Sequence, residues 1–221
     1  MRVGYDGRSR GLASGIAIAA LASLLIAAPP AHSSPAVSRD TETVAGWVRT
    51  TGDNQGTPFA IVDKKAAAVH IFDADGKRRA SSPILLGLAK GDHSVPGIGE
   101  RQMADIRDDE RTTPAGRFVS EPGRNLSGED IVWVDYDAAV SMHRVRATNK
   151  AERRLERLAT PTAADNRISY GCINVPAAFY DAHVKPSFGT AKAVIYVLPE
   201  TRPASTLFET STARAQASQP R

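Results

Sequence analysis

The single cysteine of the chain, Cys172, lies in a segment that suits a nucleophile. Gly171 precedes it, and glycine lets backbone amides approach the oxyanion that forms when a thiol attacks a carbonyl. A thiol attacks efficiently as the thiolate, and an imidazole is the base that most often lowers its pKa. His143 lies in the same half of the chain, so the sequence predicts Cys172 as a nucleophile and His143 as its base. The alternative is an inert cysteine that packs as a small hydrophobe.

The first 33 residues are typical of a secretory signal peptide. A basic start is followed by an apolar run, Leu12–Ala28, then by two prolines and by small residues at positions 31 and 33. A retained membrane anchor is the alternative, but the run is shorter than the roughly 20 residues of a spanning helix. We therefore expect export to the periplasm, with no stable membrane insertion after cleavage. In an oxidising compartment a lone thiol has no intramolecular disulfide partner and needs another reason to persist.

Beyond the signal, the composition predicts one folded domain. Residues 34–56 are rich in Ser, Thr, Gly and Asp and suggest a linker or leader, residues 57–200 have the size of one catalytic domain, and residues 201–221 suggest a disordered tail. The formal net charge is +4, to which the signal contributes +2 through three Arg against one Asp. Because the remainder is only mildly basic, no nucleic acid partner is implied.

Short apolar runs separated by turn residues predict a mainly β fold with two or three short helices. Residues 59–62 and 68–72 form a hairpin pattern, residues 83–88 are expected to extend the same sheet, and residues 131–136 and 193–198 are further strands. Alternating apolar residues lead up to His143, which we place at or just past a strand end.

A helix start of the capping-box type, Asn149 with Glu152, precedes an apolar stripe that contains Leu155 and Leu158. The pattern predicts one short amphipathic helix. The surrounding residues 144–160 are rich in arginine. The usual reason for such a cluster is a solvated helix face. The alternative is a basic lid that binds carboxylates of a substrate.

The residues around Cys172 resemble those of a known family, the L,D-transpeptidases with a YkuD-type catalytic domain. That family carries a His, a spacer and then a Ser/Thr-His-Gly-Cys-apolar-Asn/Arg signature, which residues 169–174 match except at Tyr170, where the second His usually stands. Residues 113–118 are similar to the Thr-Pro-x-Gly-x-Phe element of the family, and Met142 precedes His143 as expected. Arg144 stands where glycine is common, and the spacer is longer than usual. The resemblance covers about residues 59–199.

The resemblance implies β-sandwich or barrel-like mixed sheets and a peptidoglycan substrate. Cys172 would attack the amide between the diamino acid and the terminal D-amino acid of a stem tetrapeptide. The acyl group would then pass from the thioester to an amine, giving a 3→3 cross-link or attachment to a protein or amino acid. His143 would move the protons, oriented by the backbone carbonyl of Arg144, and no cofactor or metal would be needed.

The resemblance also suggests roles for the neighbouring residues, and it leaves two other functions open. We expect the backbone amides of Tyr170, Gly171 and Cys172 to form the oxyanion hole, with positioning roles for Ser169 and Arg144. A substrate-binding role is expected for Asn174, Arg167 and His93, although Ser169 and Asn174 could hold either the turn or the substrate. The alternatives are a hydrolase that trims peptidoglycan stems or cuts cross-links, and a non-catalytic wall-binding relative. No metal-ligand spacing is present among the histidines, and we expect structural roles for His70 and His183.

Overall fold

The computed structural model of the chain describes residues 35–208. The predicted signal peptide and residues 209–221 of the predicted tail lie outside the described residues. Within residues 35–208, none of the helices combines the length and the apolar character that crossing a bilayer requires.

Strands account for most of the regular structure, as predicted. They are β1 (Phe59–Asp63), β2 (Ala68–Phe72), β3 (Arg78–Pro83), β4 (Leu86–Gly87), β5 (Gly116–Arg124), β6 (Asp130–Asp135), β7 (Val140–Arg144), β8 (Arg167–Ser169), β9 (Ile173–Val175) and β10 (Ala193–Val197). Eight of them form one mixed sheet in the order β3-β2-β1-β10-β5-β6-β7-β9, and β4 pairs with β8. In the large sheet the β1–β10 and β7–β9 pairs are parallel, and the other neighbours are antiparallel.

The two ends of the large sheet are joined by one backbone pair. Leu85, just after β3, exchanges hydrogen bonds of 2.8 and 2.9 Å with Asn174 of β9. The sheet is therefore nearly closed, and the mainly β prediction is confirmed. The apolar run at residues 83–88 does not extend the first hairpin as a strand, because β3 begins earlier and β4 pairs with β8 instead.

Every residue of β1 and β10 is buried. Because side chains alternate along a strand, both faces of these two strands are therefore buried. Ala60 and Ile195 point into the main core inside the curved sheet, whereas Phe59 and Tyr196 belong to a second cluster on the outer face. Burial of such aliphatic and aromatic side chains stabilises the fold by roughly 1.5–3 kcal/mol each. The sequence pattern of continuous apolar runs follows from this double burial.

Helix α1 (Arg39–Thr51) covers the outer cluster, within the segment 34–56 that the composition suggested to be a linker or leader. Ser38 caps its first turn, and Gly52 ends it in a left-handed conformation with φ 66°. Val44 and Val48 of this helix are buried in the outer cluster together with Ala204 and Phe208 of the C-terminal segment. Because segment 34–56 is mostly polar, its composition did not indicate that one face of this helix is apolar and buried.

The remaining helices are short, and one predicted helix is interrupted. They are α2 (Arg154–Ala159), α3 (Ala177–Phe179) and α4 (Lys185–Phe188), the last two joined by a π-helical stretch, Tyr180–Val184. Asn149 caps a 3-10 turn at Lys150–Glu152, and Arg153, at φ 51°, breaks the chain direction before α2 begins. The predicted stripe is therefore split: Leu158 is buried, but Leu155 is 58% exposed.

Candidate active site

The parallel pairing of β7 and β9 places the imidazole of His143 beside the thiol turn. His143 is opposite Asn174 in the register, and Cys172 immediately precedes β9. Because side chains alternate along a strand, Ser141 and His143 project from one face, while Met142 between them is buried in the main core. The Sγ atom of Cys172 lies 3.6 Å from the hydroxyl oxygen of Ser141, and it is close enough to His143 for the two groups to shift each other's pKa.

The ring of His143 is oriented by the backbone of the next residue. Its Nδ1 atom lies 2.7 Å from the carbonyl oxygen of Arg144. A carbonyl can only accept, so Nδ1 carries a proton and Nε2 faces the thiol side of the site. The side-chain amide nitrogen of Asn174 lies 3.4 Å from this Nε2. The carbonyl contact that the family resemblance implies is therefore present, although residue 144 is arginine.

The electrostatics of the pair favour a thiolate and an imidazolium. Burial raises the pKa of the Cys172 thiol, but the hydrogen bond and charge of His143, together with Ser141, outweigh it and leave the pKa below its usual value. Burial lowers the pKa of His143, but the hydrogen bond and charge of Cys172 and the Arg144 carbonyl raise it above its usual value. The half-buried sulfur can thus hold a charge close to the imidazole.

Three hydrogen bonds, two of them buried, fix the turn before the thiol. The Ser169 hydroxyl donates to the carbonyl of Cys172 at 2.6 Å and accepts from the amide of Gly171 at 3.1 Å. The Thr113 hydroxyl donates to the carbonyl of Gly171 at 2.8 Å. Gly171 has φ 131°, and a Cβ there would come 2.7 Å from the carbonyl oxygen of Thr112. The turn therefore requires glycine, as the sequence suggested. Thr113, in the Thr-Pro element, supports the turn through its hydrogen bond to the Gly171 carbonyl.

The amides of this turn are not equally available to an oxyanion. Since the Gly171 amide already donates to Ser169, it is engaged within the turn. The other predicted donors are the amides of Tyr170 and Cys172. The ring of Tyr170, which stands where the family signature has histidine, lies against the guanidinium of Arg111 with 3.9 Å between the guanidinium carbon and the ring centroid.

Arg154 reaches the site from α2, a role that the arginine-rich composition alone did not single out. Its guanidinium donates to the side-chain oxygen of Asn174 at 2.6 Å and pairs with Glu152. This contact directs the amide nitrogen of Asn174 towards the Cys172 carbonyl, at 3.2 Å, and towards His143. Asn174 is 1% exposed and its amide bonds the Cys172 carbonyl, so its side chain holds the turn, one of the two roles the sequence left open for it.

The side chain of Arg167 does not contact Cys172, His143 or Asn174. Its guanidinium pairs with Glu200 and donates to the carbonyl of Lys64 at 2.8 Å, and the residue is 8% exposed. It belongs to a buried cluster in which the ammonium of Lys64 lies 2.9 Å from Asp92. The cluster ties β8 and the start of the long loop to the end of β10, so Arg167 is structural here and the substrate-binding expectation finds no support in its contacts.

Two other predicted residues lie at the edge of the site. His93 is exposed on the long loop, where its carbonyl accepts from the hydroxyl of Thr112 at 2.7 Å. The side chain of Arg144 turns away from the thiol and binds Asp130 and Asp181. The backbone carbonyl of Arg144, not its guanidinium, hydrogen-bonds with the imidazole of His143. Among residues 35–208, no cluster of His, Cys, Asp and Glu is arranged to hold a metal ion.

Comparison with known proteins finds similarity among solved structures alone. No family model matches the chain, and no curated protein matches it. The chain is similar to a cysteine-to-serine mutant of the Enterococcus faecium L,D-transpeptidase, with 18% identity over 64% of this chain and 50% of that one, and a TM-score of 0.37. It is similar to the helical cell shape determining protein of Campylobacter jejuni, with 14% identity over 72% of this chain and 56% of that one, and a TM-score of 0.43.

A third similar structure is the L,D-transpeptidase from Mycobacterium smegmatis, with 19% identity over 63% of this chain and 58% of that one, and a TM-score of 0.35. The chain thus spans between 50% and 58% of the length of these three proteins. Identities below 20% and TM-scores below 0.5 say nothing about the chemistry of the site.

Proposed function

We propose that the protein is a cysteine acyltransferase of the L,D-transpeptidase type that acts on peptidoglycan stem peptides. The observation that carries the proposal is the pairing of Cys172 with His143, in which the pKa of the thiol is lowered and the pKa of the imidazole is raised. Perturbed values of this kind in a preformed pair are typical of an activated nucleophile. The match of residues 169–174 to the family signature supports the substrate class.

In the acylation step the Cys172 thiolate attacks the carbonyl between the diamino acid and the terminal D-amino acid of a stem tetrapeptide. A carbon–sulfur bond forms, and the charge moves to the carbonyl oxygen, which the amides of Tyr170 and Cys172 stabilise. Each such donor is worth about 3 kcal/mol in comparable sites. The carbon–nitrogen bond then breaks as Nε2 of His143 gives its proton to the leaving amine. The product is a thioester and a free D-amino acid.

In the transfer step an acceptor amine attacks the thioester carbonyl. His143, now neutral, removes a proton from the amine, and the Cys172 thiolate leaves and restores the starting pair. The acceptor is an amine of a second stem peptide, giving a 3→3 cross-link, or that of a protein or amino acid. We place the reaction in the periplasm, on the strength of the signal-like sequence at residues 1–33.

Intact-mass analysis of the mature protein after exposure to stem tetrapeptide tests the nucleophile and the leaving group together. We expect an adduct with the mass of the tripeptide acyl group, with release of the terminal D-amino acid. The Cys172→Ala variant is expected to form no adduct. An unmodified parent protein, at a concentration of tetrapeptide that acylates a known L,D-transpeptidase, would contradict the proposal and favour a wall-binding relative.

Product analysis distinguishes transfer from hydrolysis. With disaccharide tetrapeptides as both donor and acceptor, transfer gives cross-linked dimers, whereas hydrolysis gives tripeptides without dimers. We expect dimers. Tripeptides alone would assign the same site to a peptidoglycan hydrolase.

A further inference from the structure

An aromatic pair lies on the same face of the sheet as the thiol. Trp133 of β6 is directly opposite Ser141 of β7, and directly opposed side chains of an antiparallel pair share one face. The hydroxyl of Ser141 lies 3.6 Å from the sulfur of Cys172. Trp133, Ser141 and Cys172 therefore form a row that runs from β6 across β7 to the residue just before β9.

Gly123 makes room for the indole of Trp133. A Cβ at position 123 would come 2.5 Å from two atoms of the indole, Cδ1 and Nε1, so the ring lies against the backbone of β5. Tyr136 completes the pair, with 5.2 Å between the two ring centroids and an angle of 65° between the rings. Because Tyr136 is 76% exposed, the pair presents an aromatic surface to solvent.

The turn that carries Tyr136 also contacts the thiol. The amide of Ala139 donates to the carbonyl of Tyr136 at 3.0 Å, and the carbonyl of Ala139 lies 3.6 Å from the sulfur of Cys172. One short turn thus connects the exposed aromatic ring and the nucleophile. A ligand bound to the thiol site is therefore adjacent to this surface.

The surface has the chemistry that a sugar ring needs. A pyranose has an apolar face of C–H groups that stacks on aromatic rings, and hydroxyl edges that need polar partners. Glu121 is opposite Trp133 on β5 and pairs with Lys192, which places two charged groups on the edge of the aromatic surface. An exposed aromatic patch with a polar rim is typical of a binding site.

The distance to the thiol agrees with the position of the sugar that carries the stem peptide. Trp133 lies on the second strand from β9, so the row from Cys172 to Trp133 spans about 10 Å at the usual strand spacing of roughly 4.8 Å. Three residues of an extended peptide span about 10 Å. In a stem tetrapeptide three residues and a lactyl group separate the scissile carbonyl from the sugar that carries the stem, so a stem that is not fully extended spans this distance.

We infer that Trp133 and Tyr136 form a subsite for the amino-sugar ring that carries the donor stem peptide. The subsite rests on the proposed function, since it takes the stem at Cys172 as its starting point. It makes the protein discriminate between a free stem peptide and one that is still attached to glycan.

Kinetics with two donors test this subsite. The measured quantity is the ratio of kcat/KM for disaccharide tetrapeptide to that for the free tetrapeptide. We expect the ratio to fall about tenfold in Trp133→Ala and less in Tyr136→Ala, as the loss of an aromatic stack predicts. Leu126→Ala is the matched control, because Leu126 is an exposed apolar residue at the tip of the same hairpin, and the parent ratio is expected there. A ratio that stays at the parent value in both aromatic variants would overturn the subsite.

A binding measurement separates this inference from the proposed activity. The chain has two tryptophans, so the indole of Trp133 is one of two fluorophores. In the Cys172→Ala protein we expect the peptide-free disaccharide, N-acetylglucosaminyl-N-acetylmuramic acid, to change the tryptophan fluorescence, and Tyr136→Ala in the same background, which keeps the indole of Trp133 as reporter, to weaken the apparent affinity. No change in the presence of Trp133 would refute the subsite, whatever the protein does to stem peptides. If the parent acts on neither donor, the proposed function fails, and this titration still decides the subsite.

Discussion

The Nδ1 atom of His143 lies 2.7 Å from the backbone carbonyl oxygen of Arg144, the next residue in the chain. This contact orients the imidazole through a group that every residue type possesses. The side chain at position 144 is therefore free for another task, and it binds Asp130 and Asp181 while packing over Tyr180. The glycine that is common in the family is thus not needed to orient the base.

Arg144→Ala is expected to weaken the fold and to keep the chemistry. The ion pairs with Asp130 and Asp181 are partly exposed, so their loss, with the contact to Tyr180, should lower the free energy of unfolding by about 1–2 kcal/mol. The acylation rate of the folded protein should stay near that of the parent, because the carbonyl remains. Urea unfolding and single-turnover acylation measure the two effects. A loss of acylation as severe as in His143→Ala would show that the guanidinium itself acts in the reaction.

Gly171→Ala is expected to disrupt the turn that holds the nucleophile. The backbone has φ 131°, and the added Cβ would lie 2.7 Å from the carbonyl oxygen of Thr112. We expect a loss of stability of roughly 2–3 kcal/mol and a large loss of acylation, because the thiol moves relative to the imidazole. Circular dichroism on heating and intact-mass acylation measure these effects. Unchanged acylation would mean that the turn adjusts without displacing the thiol.

Thr113→Val tests the hydrogen bonds that the Thr113 hydroxyl makes to the same turn and to Gly87. The Thr113 hydroxyl donates to the carbonyl of Gly171 and accepts from the amide of Gly87 at 2.9 Å, and the residue is fully buried. Valine keeps the shape but leaves both backbone groups without this partner, which costs roughly 1–3 kcal/mol for each. We expect lower stability, measured by urea unfolding, with acylation reduced but detectable. Full parental stability would exclude this hydroxyl as a support of the turn.

Local patterns predicted the parts of the site that depend on neighbouring residues. The glycine before the thiol and the strand that carries His143 follow from local chemistry and alternation. By contrast, the contact between Arg154 and Asn174 joins residues 20 positions apart through an interrupted helix, and nothing in the spacing of the arginines selects Arg154. The burial of Arg167 likewise depends on Glu200, which lies 33 positions away. Long-range partners of charged side chains are set by the closure of the sheet, not by sequence spacing.

Arg154→Met is expected to change the pH profile of acylation. The positive charge of Arg154 lowers the pKa of His143, in opposition to the thiol and the Arg144 carbonyl. Without that charge the pKa of His143 rises further above its usual value, so the imidazolium persists to higher pH. The alkaline limb of kcat/KM, where the imidazolium is lost, should move to higher pH. Steady-state rates across the pH range measure this shift.

Arg153→Met is the matched control for that experiment. Arg153 precedes Arg154 in the chain, but its guanidinium pairs with Glu156, and both side chains are more than 60% exposed. We expect its removal to leave the alkaline limb in the parent position. Equal shifts in the two variants would indicate a general effect of net charge, and the charge of Arg154 close to His143 would then not be the specific cause.

Buried His70 is expected to make the fold sensitive to acid. Burial and the charge of Arg78 lower the pKa of His70 to about 4, against the opposing effect of Asp63. In the unfolded chain the pKa of a histidine is about 6.5. Between these values the unfolded state binds more protons than the folded state, so the free energy of unfolding falls as the pH falls from about 6.5 to about 4. This group alone accounts for roughly 3 kcal/mol across that window.

The His70→Asn variant isolates this contribution. In the parent Nδ1 lies 2.8 Å from the hydroxyl of Ser81, and Nε2 is buried with no hydrogen-bond partner among the described residues. Asparagine retains a polar atom near the position of Nδ1 and cannot titrate in this range. The variant should be less stable at pH 7, because it leaves space that the ring filled. Its stability should nevertheless fall less between pH 6.5 and 4 than that of the parent. Parallel curves of urea stability against pH would assign the acid sensitivity to the carboxylates and not to His70.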